Sequence, residues 1–151
     1  MGMIKDKPSG NGHVADIEKA LRRISGNIKQ KGREILNQYK ITPPQFVALQ
    51  WLLDYGDMTV GDLAGRMYLA CSTTTDLVDR MEKANFVVRI RDGNDRRVVR
   101  VHLLEEGERI IEEVIVKRQD YLNELLIHFD ESERLTFERL LNKLQQEMNE
   151  E

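Results

Sequence analysis

The sequence predicts a mainly α-helical fold with one small β-hairpin. Apolar residues recur at spacings of three and four over most of the chain, which is typical of amphipathic helices. Two short helical patterns follow each other with only a brief break between them, as in a helix-turn-helix. Between residues 88 and 103 the spacing of apolar residues changes to two, which indicates paired strands.

The first predicted helix is long and amphipathic, from Val14 to Gln38. Residues 1–13 before it are polar and have no apolar central segment, so we expect a flexible tail and no signal peptide. The helix carries one apolar stripe: Val14, Ile17, Leu21, Ile24, Ile28 and Ile35. A stripe of this length needs a packing partner.

A second helix is predicted to begin at Thr42-Pro43-Pro44, because threonine caps a helix well and proline is tolerated in its first turn. Its apolar residues cover much of the circumference, which predicts burial: Phe46, Leu49, Trp51, Leu52 and Leu53. Thr59 and Asp62 form a capping pattern that opens a short third helix. Its inward residues are Val60, Leu63, Ala64 and Met67.

A break at residues 68–70 precedes the fourth helix, which begins near Cys71 or Ser72 and ends near Asn85. Its inward residues are Thr74, Leu77, Val78 and Met81. The residues that remain for the outer face are Ser72, Thr73, Asp76, Arg80 and Lys83, with Thr75 at the side. Short hydroxyl side chains at a helix N-terminus can bind phosphates or base edges, although at least one of them is expected to cap the helix.

The hairpin is predicted from strands at Val88–Arg91 and Val99–Leu103, joined by a turn at residues 92–95. We expect an apolar face of Val88, Ile90, Val99, Val101 and Leu103. The opposite face would carry Arg89, Arg91, Arg100 and His102, with Arg96 and Arg97 near the turn. Two terminal helices follow, one from about Glu105 to His128 and one beginning after Ser132, which is its predicted cap.

Charge is distributed unevenly along the chain. The net charge of the 151 residues is −3, but residues 1–100 hold 17 basic and 12 acidic residues, whereas the rest hold 6 and 14. The segment from Phe86 to Arg100 alone has five arginines against two aspartates. An arginine-rich hairpin is often a solvated face, but directly after a helix-turn-helix it predicts a winged helix that binds DNA.

Other classes of function are disfavoured. The longest segment without charge has 13 residues, Ile41 to Leu53, which is too short to cross a membrane. One cysteine, Cys71, permits no internal disulfide, so a cytoplasmic protein is expected. The three histidines show no metal-ligand spacing, and no catalytic motif occurs, so we expect no metal, no cofactor and no enzyme activity.

The wing segment resembles a known signature. Asp95-Arg96-Arg97, with Leu103 and Gly107 after it, is similar to the D-x-R…L-T-x-x-G motif of the multiple-antibiotic-resistance regulator (MarR) family. Residues 77–83 also resemble the end of that family's recognition helix, and the element order agrees over residues 14–148. Leu104 and Asn85 depart from the usual Thr and Gly, which affects only local capping.

The resemblance implies a single domain over residues 14–148 and a ligand-responsive repressor. Residues 43–104 would bind DNA, and residues 14–38 and 105–148 would form a homodimer, which the excess of apolar helix surface also predicts. Arg97 would enter the minor groove, with Asp95 orienting the wing. An effector pocket is also implied, and the aromatic residues that could line it or instead belong to the core are Tyr39, Phe46, Trp51 and Tyr55.

Three questions stay open. Asp76 would repel phosphate but could accept a hydrogen bond from a cytosine amino group. The winged helix could instead bind an acidic partner protein. Cys71, near a helix N-terminus, could be a thiol-based redox sensor, although a packing residue or a neighbour of DNA is the simpler reading. For the DNA-binding hypothesis, two-fold symmetry predicts a near-palindromic operator with half-sites one turn apart.

Overall fold

Residues 11–149 are described by the computed structural model. In this range the elements are α1 (Asn11–Gln38), α2 (Pro43–Tyr55), β1 (Met58–Thr59), α3 (Val60–Met67), α4 (Cys71–Lys83), β2 (Val87–Arg91), β3 (Val99–Leu103), α5 (Glu105–Leu125) and α6 (Glu131–Met148). The predicted mainly helical fold with a small sheet is confirmed. The chain divides into two units at Ile111, within α5.

The start of α1 corrects the predicted tail. Residues 11–13 were expected to be flexible, but they continue the helix to Asn11. Extending an existing helix by a turn costs little once the following turns are formed, and none of these residues is a proline. The rest of the predicted tail, residues 1–10, lies outside the described residues.

Local sequence determines where the helices of the first unit begin. Thr42 accepts the Gln45 backbone N–H at 3.3 Å, and the Gln45 side chain accepts the Thr42 N–H at 3.0 Å, which completes a capping box. Thr59 caps α3 by accepting the Asp62 N–H at 3.0 Å. Both predicted caps are confirmed.

Three helices of this unit end with a left-handed residue that is not glycine. Lys40, Tyr68 and Asn85 have φ angles of 55°, 55° and 64°. After each of them, the next backbone N–H bonds to a carbonyl five residues earlier, as in the Leu69 N–H to Ala64 bond of 3.0 Å. This is the Schellman arrangement, in which glycine is the usual left-handed residue. The predicted end of α4 at Asn85 is confirmed.

The sheet has the order β1-β3-β2, and its register corrects the predicted wing faces. Val88 pairs with His102, Ile90 with Arg100, and Arg89 with Val101. Cross-strand partners project from the same face, so Val88 and Ile90 share a face with His102 and Arg100, whereas Arg89 and Arg91 lie on the face of Val99, Val101 and Leu103. The expected separation into an apolar and a basic face was therefore wrong.

The core of the first unit joins the helices to the sheet. Its fully buried large side chains include Phe46, Leu49, Leu63, Val78, Met81, Val87 and Val101. The prediction that α2 is buried around most of its circumference was partly wrong, because Leu53 is exposed and Trp51 only half-buried. Gly107 is buried against the start of β2, where an added Cβ would lie 2.5 Å from the Phe86 carbonyl oxygen.

The second unit contains the end of α5 and all of α6. Helix α5 ends at Leu125, before the predicted His128, and Arg134 donates to the carbonyls of Leu126 and Phe129 just beyond it. The cap of α6 is Asp130, and not the predicted Ser132, because Asp130 and Glu133 form a reciprocal capping box. None of the helices in the described range is long and apolar enough to cross a membrane.

Candidate nucleic-acid interface

Helix α4 separates an inner face from a polar outer face. Thr74, Leu77, Val78 and Met81 are buried, as the helical spacing predicts. The outer side chains are all exposed: Ser72, Thr73, Thr75, Asp76, Arg80 and Lys83. In a helix-turn-helix the second helix enters the major groove, so this exposed face is the one available to base edges.

The N-terminus of α4 has no side-chain cap. Ala70 occupies the capping position, and the Thr74 hydroxyl donates back to the Ala70 carbonyl at 3.0 Å. The expectation that one residue of the Ser/Thr run caps this helix was therefore wrong, because the run begins inside the helix and not before it. The hydroxyls of Ser72, Thr73 and Thr75 accept no first-turn amide within the described chain.

Arg89 connects the wing to α4. Its guanidinium donates to Glu82 at 2.6 Å and to Asp79 at 2.8 Å, and only 26% of its side chain is exposed. Burial lowers the pKa of Arg89, but the hydrogen bonds to the two carboxylates more than offset this and raise it. Arg89 therefore positions β2 against the recognition helix. Asp79 and Glu82 were not among the predicted site residues.

The wing turn is organised around the Asp92 carboxylate. It accepts the backbone N–H groups of Asn94 and Asp95 at 2.9 and 2.8 Å, and it pairs with Arg100. The Asp95 amide is the main reason that the pKa of Asp92 lies below its usual range, and Arg100 adds to the effect. Arg91 donates to the Arg96 carbonyl across the same turn.

Arg97 is a strongly exposed charge at the wing turn. Its side chain is 90% exposed and pairs with Asp95 at 3.0 Å, while its own backbone N–H also donates to that carboxylate at 3.1 Å. Hydrogen bonding from Arg97 lowers the pKa of Asp95, and the same pair raises the pKa of Arg97. Arg96 is exposed beside them. The turn thus presents two arginines from a backbone that is hydrogen-bonded to the Asp92 and Asp95 carboxylates.

Known proteins are similar in sequence to this chain. A family model described as the MarR family matches residues 41–99. The uncharacterised HTH-type transcriptional regulator YsmB of Bacillus subtilis is 67% identical over 136 residues, covering 90% of this chain and 93% of YsmB. The chain belongs to the MarR family. The resemblance of its wing motif to that family is confirmed, and it is a winged-helix transcriptional regulator.

Two further comparisons also span most of this MarR-family chain. The HTH-type transcriptional repressor MdtR of Bacillus subtilis is 30% identical over 133 residues, covering 88% of this chain and 86% of MdtR. A MarR family protein from Bacillus stearothermophilus has a solved structure that is 60% identical, with a TM-score of 0.85. The match covers 95% of this chain and 100% of that structure.

The four aromatic residues predicted for an effector pocket have different environments in this MarR-family protein. Phe46 is buried, Tyr39 and Trp51 are half-buried, and Tyr55 is exposed. The Trp51 and Tyr55 rings lie 5.3 Å apart, and the Arg66 guanidinium stacks over both, 4.5 Å from the Tyr55 ring. Sequence reasoning missed Arg66, since its role depends on the packing of α3 against α2.

Tyr55 and Arg66 also line an open depression of about 580 Å³ with Asp57, Met58, Gly61, Asp62 and Gly65. Phe46, Trp51 and Tyr39 are not among the lining residues of this depression, and an effector pocket lined by the four aromatic residues stays a prediction. Cys71 is exposed at the first turn of α4. Among residues 11–149, no three His, Cys, Asp or Glu side chains form a group that could hold a metal ion.

Proposed function

We propose that the protein is a homodimeric repressor that binds a near-palindromic operator in double-stranded DNA and is released by a small-molecule effector. The observation that carries the proposal is the exposed polar face of α4 beside an arginine-bearing wing turn on the same unit. A recognition helix for the major groove and an arginine for the minor groove are the two parts that this mode of binding requires.

Each candidate residue then has a proposed role. Ser72, Thr73, Thr75, Asp76, Arg80 and Lys83 would face the major groove and its phosphates. From the wing, Arg91, Arg96 and Arg97 would face the minor groove, and Asp95 would hold Arg97 ready for it. Arg89 is bound by Glu82 and Asp79, so its proposed contribution is to position the wing.

Dimerisation is supported by apolar surface that stays exposed on the single chain. On α1, the side chains of Val14, Ile17, Leu21, Ile24 and Ile28 are 42–56% exposed and follow one stripe. In the second unit, α6 has no buried residue and exposes Leu135, Leu140, Leu141, Leu144 and Met148. Contiguous apolar stripes of this kind mark interfaces, and in a dimer they would lie against a second copy.

The proposal also includes repression of transcription and release from DNA by an effector. The name of the relative MdtR states repression for that protein, and we extend it to this chain on their 30% identity. Because the protein would act by binding alone, we propose no enzymatic activity and no cofactor. We also propose that it works in the cytoplasm, as its single cysteine suggests.

Titration with random-sequence duplex DNA tests the central proposal. Affinity should fall steeply as salt rises, because every neutralised phosphate releases counterions with a logarithmic slope of about −0.9. No detectable binding at low salt would refute DNA binding and favour the acidic-partner alternative. Selection of bound sequences from a random library, repeated with candidate ligands, should then yield half-sites about 34–36 Å apart.

A further inference from the structure

Tyr68 is the most exposed large apolar residue in the described part of the chain, with 95% of it accessible. It lies in the turn between α3 and α4. Within the described chain its side chain makes no hydrogen bond, ion pair or ring contact. An isolated phenol ring is therefore exposed in the turn of the helix-turn-helix itself.

The backbone gives no reason for a tyrosine at this position. Tyr68 is the left-handed residue that ends α3, with φ of 55°, where glycine fits without strain. A bulky aromatic residue in this conformation is unfavourable. Strain of this kind persists at functional sites more than elsewhere, so the side chain itself is the feature to explain.

The position of Tyr68 connects it to the recognition helix. It comes two residues before Ala70, the capping residue of α4, whose N-terminal side chains face the major groove in the proposed complex. The sugar–phosphate backbone runs along the edge of that groove. A phenol offers a neutral O–H donor for a phosphate oxygen and an apolar ring for the neighbouring sugar.

We propose that Tyr68 is a DNA-backbone contact, donating its phenol O–H to a phosphate oxygen at the edge of the groove that α4 enters. This inference rests on the proposed DNA-binding function. A phosphate contact carries no base information, so it strengthens binding to all sequences. Because the phenol is uncharged, it also leaves the salt dependence unchanged, unlike an arginine contact.

Fluorescence anisotropy with a labelled random-sequence duplex tests the proposal. Tyr68→Phe removes only the hydroxyl and should weaken binding roughly three- to tenfold with the wild-type salt slope. Tyr68→Gly should bind at least as weakly as Tyr68→Phe, yet its melting temperature should be unchanged or higher because the backbone strain is relieved. The matched control is Asn85→Gly, which makes the same backbone change at the other end of α4 and should keep wild-type affinity.

The outcomes separate this proposal from the broader one. Wild-type binding together with an unimpaired Tyr68→Phe variant would overturn the Tyr68 contact and leave DNA binding intact. A changed sequence preference in Tyr68→Phe would also overturn it, because the hydroxyl would then contact a base. Absence of wild-type binding at low salt would refute the proposed function, and the Tyr68 contact with it.

Discussion

Substitution of Arg89 by alanine separates positioning of the wing from contact with DNA. Arg89 lies in an arginine-rich hairpin, but its guanidinium is bound by Glu82 and Asp79 of α4. Removing it would break both ion pairs and leave two carboxylates three residues apart on one helix without their cation. We expect lower stability and a wing that is less well fixed against α4.

The stability lost in Arg89→Ala can be estimated from the exposure of the two carboxylates that bind Arg89. Hydrogen bonds to charged groups contribute about 1.5–3 kcal/mol, whereas fully exposed ion pairs contribute about 0.2–1 kcal/mol. Glu82 and Asp79 are 37% and 51% exposed, so each bond belongs near the lower range. Arg89→Ala should therefore lose about 1–2 kcal/mol, which for a chain of this length lowers the melting temperature by roughly 2–8 °C.

The assay combines thermal unfolding with DNA titrations over a range of salt. The control is Arg97→Ala, whose side chain is 90% exposed and pairs only within its own turn. Arg97→Ala should keep the melting temperature and reduce the salt slope of DNA binding by about one per wing. Arg89→Ala should lower the melting temperature and keep the wild-type salt slope. A reduced salt slope in Arg89→Ala without loss of stability would show that Arg89 contacts phosphate.

Three further predictions concern the packing, the wing turn and the dimer. Gly107→Ala should lower the free energy of unfolding by about 1–3 kcal/mol, because its Cβ would overlap the Phe86 carbonyl. Urea titration measures this change. The control is Gly65→Ala, which has open space around its Cβ and should raise the free energy of unfolding. The pKa of Asp92 is held below its usual range, so the order that this carboxylate gives the wing is complete above the ordinary aspartate pKa and is lost as the pH falls through the lowered pKa. NMR shifts of the wing amides should follow this transition, and Asp92→Asn should abolish it. Leu21→Glu places a charge in the α1 stripe and should produce a helical monomer in sedimentation experiments, and a persistent dimer would exclude this stripe from the interface.

Most of the helices could be predicted from the sequence because helix signals are local. In α4 the spacing of Thr74, Leu77, Val78 and Met81 allows only one buried face, so the exposed residues followed by elimination. The Thr42 cap depends on a partner three residues away in the sequence. The end of α4 at Asn85 depends on the preference of asparagine for the left-handed conformation. The cap of α6 was harder, since Asp130 and Ser132 are both good capping residues and only the bond with Glu133 decides between them.

The wing shows what only the tertiary structure decided. Val87 and Val88 are adjacent and both apolar, so a period of two residues is consistent with either side chain facing the core. Packing buries Val87, and this choice turns Arg89 toward α4, where Glu82 and Asp79 meet it from a different element. The sequence by itself determined that the hairpin is basic, but which arginines remain outside depends on register and on long-range ion pairs, which no local pattern records.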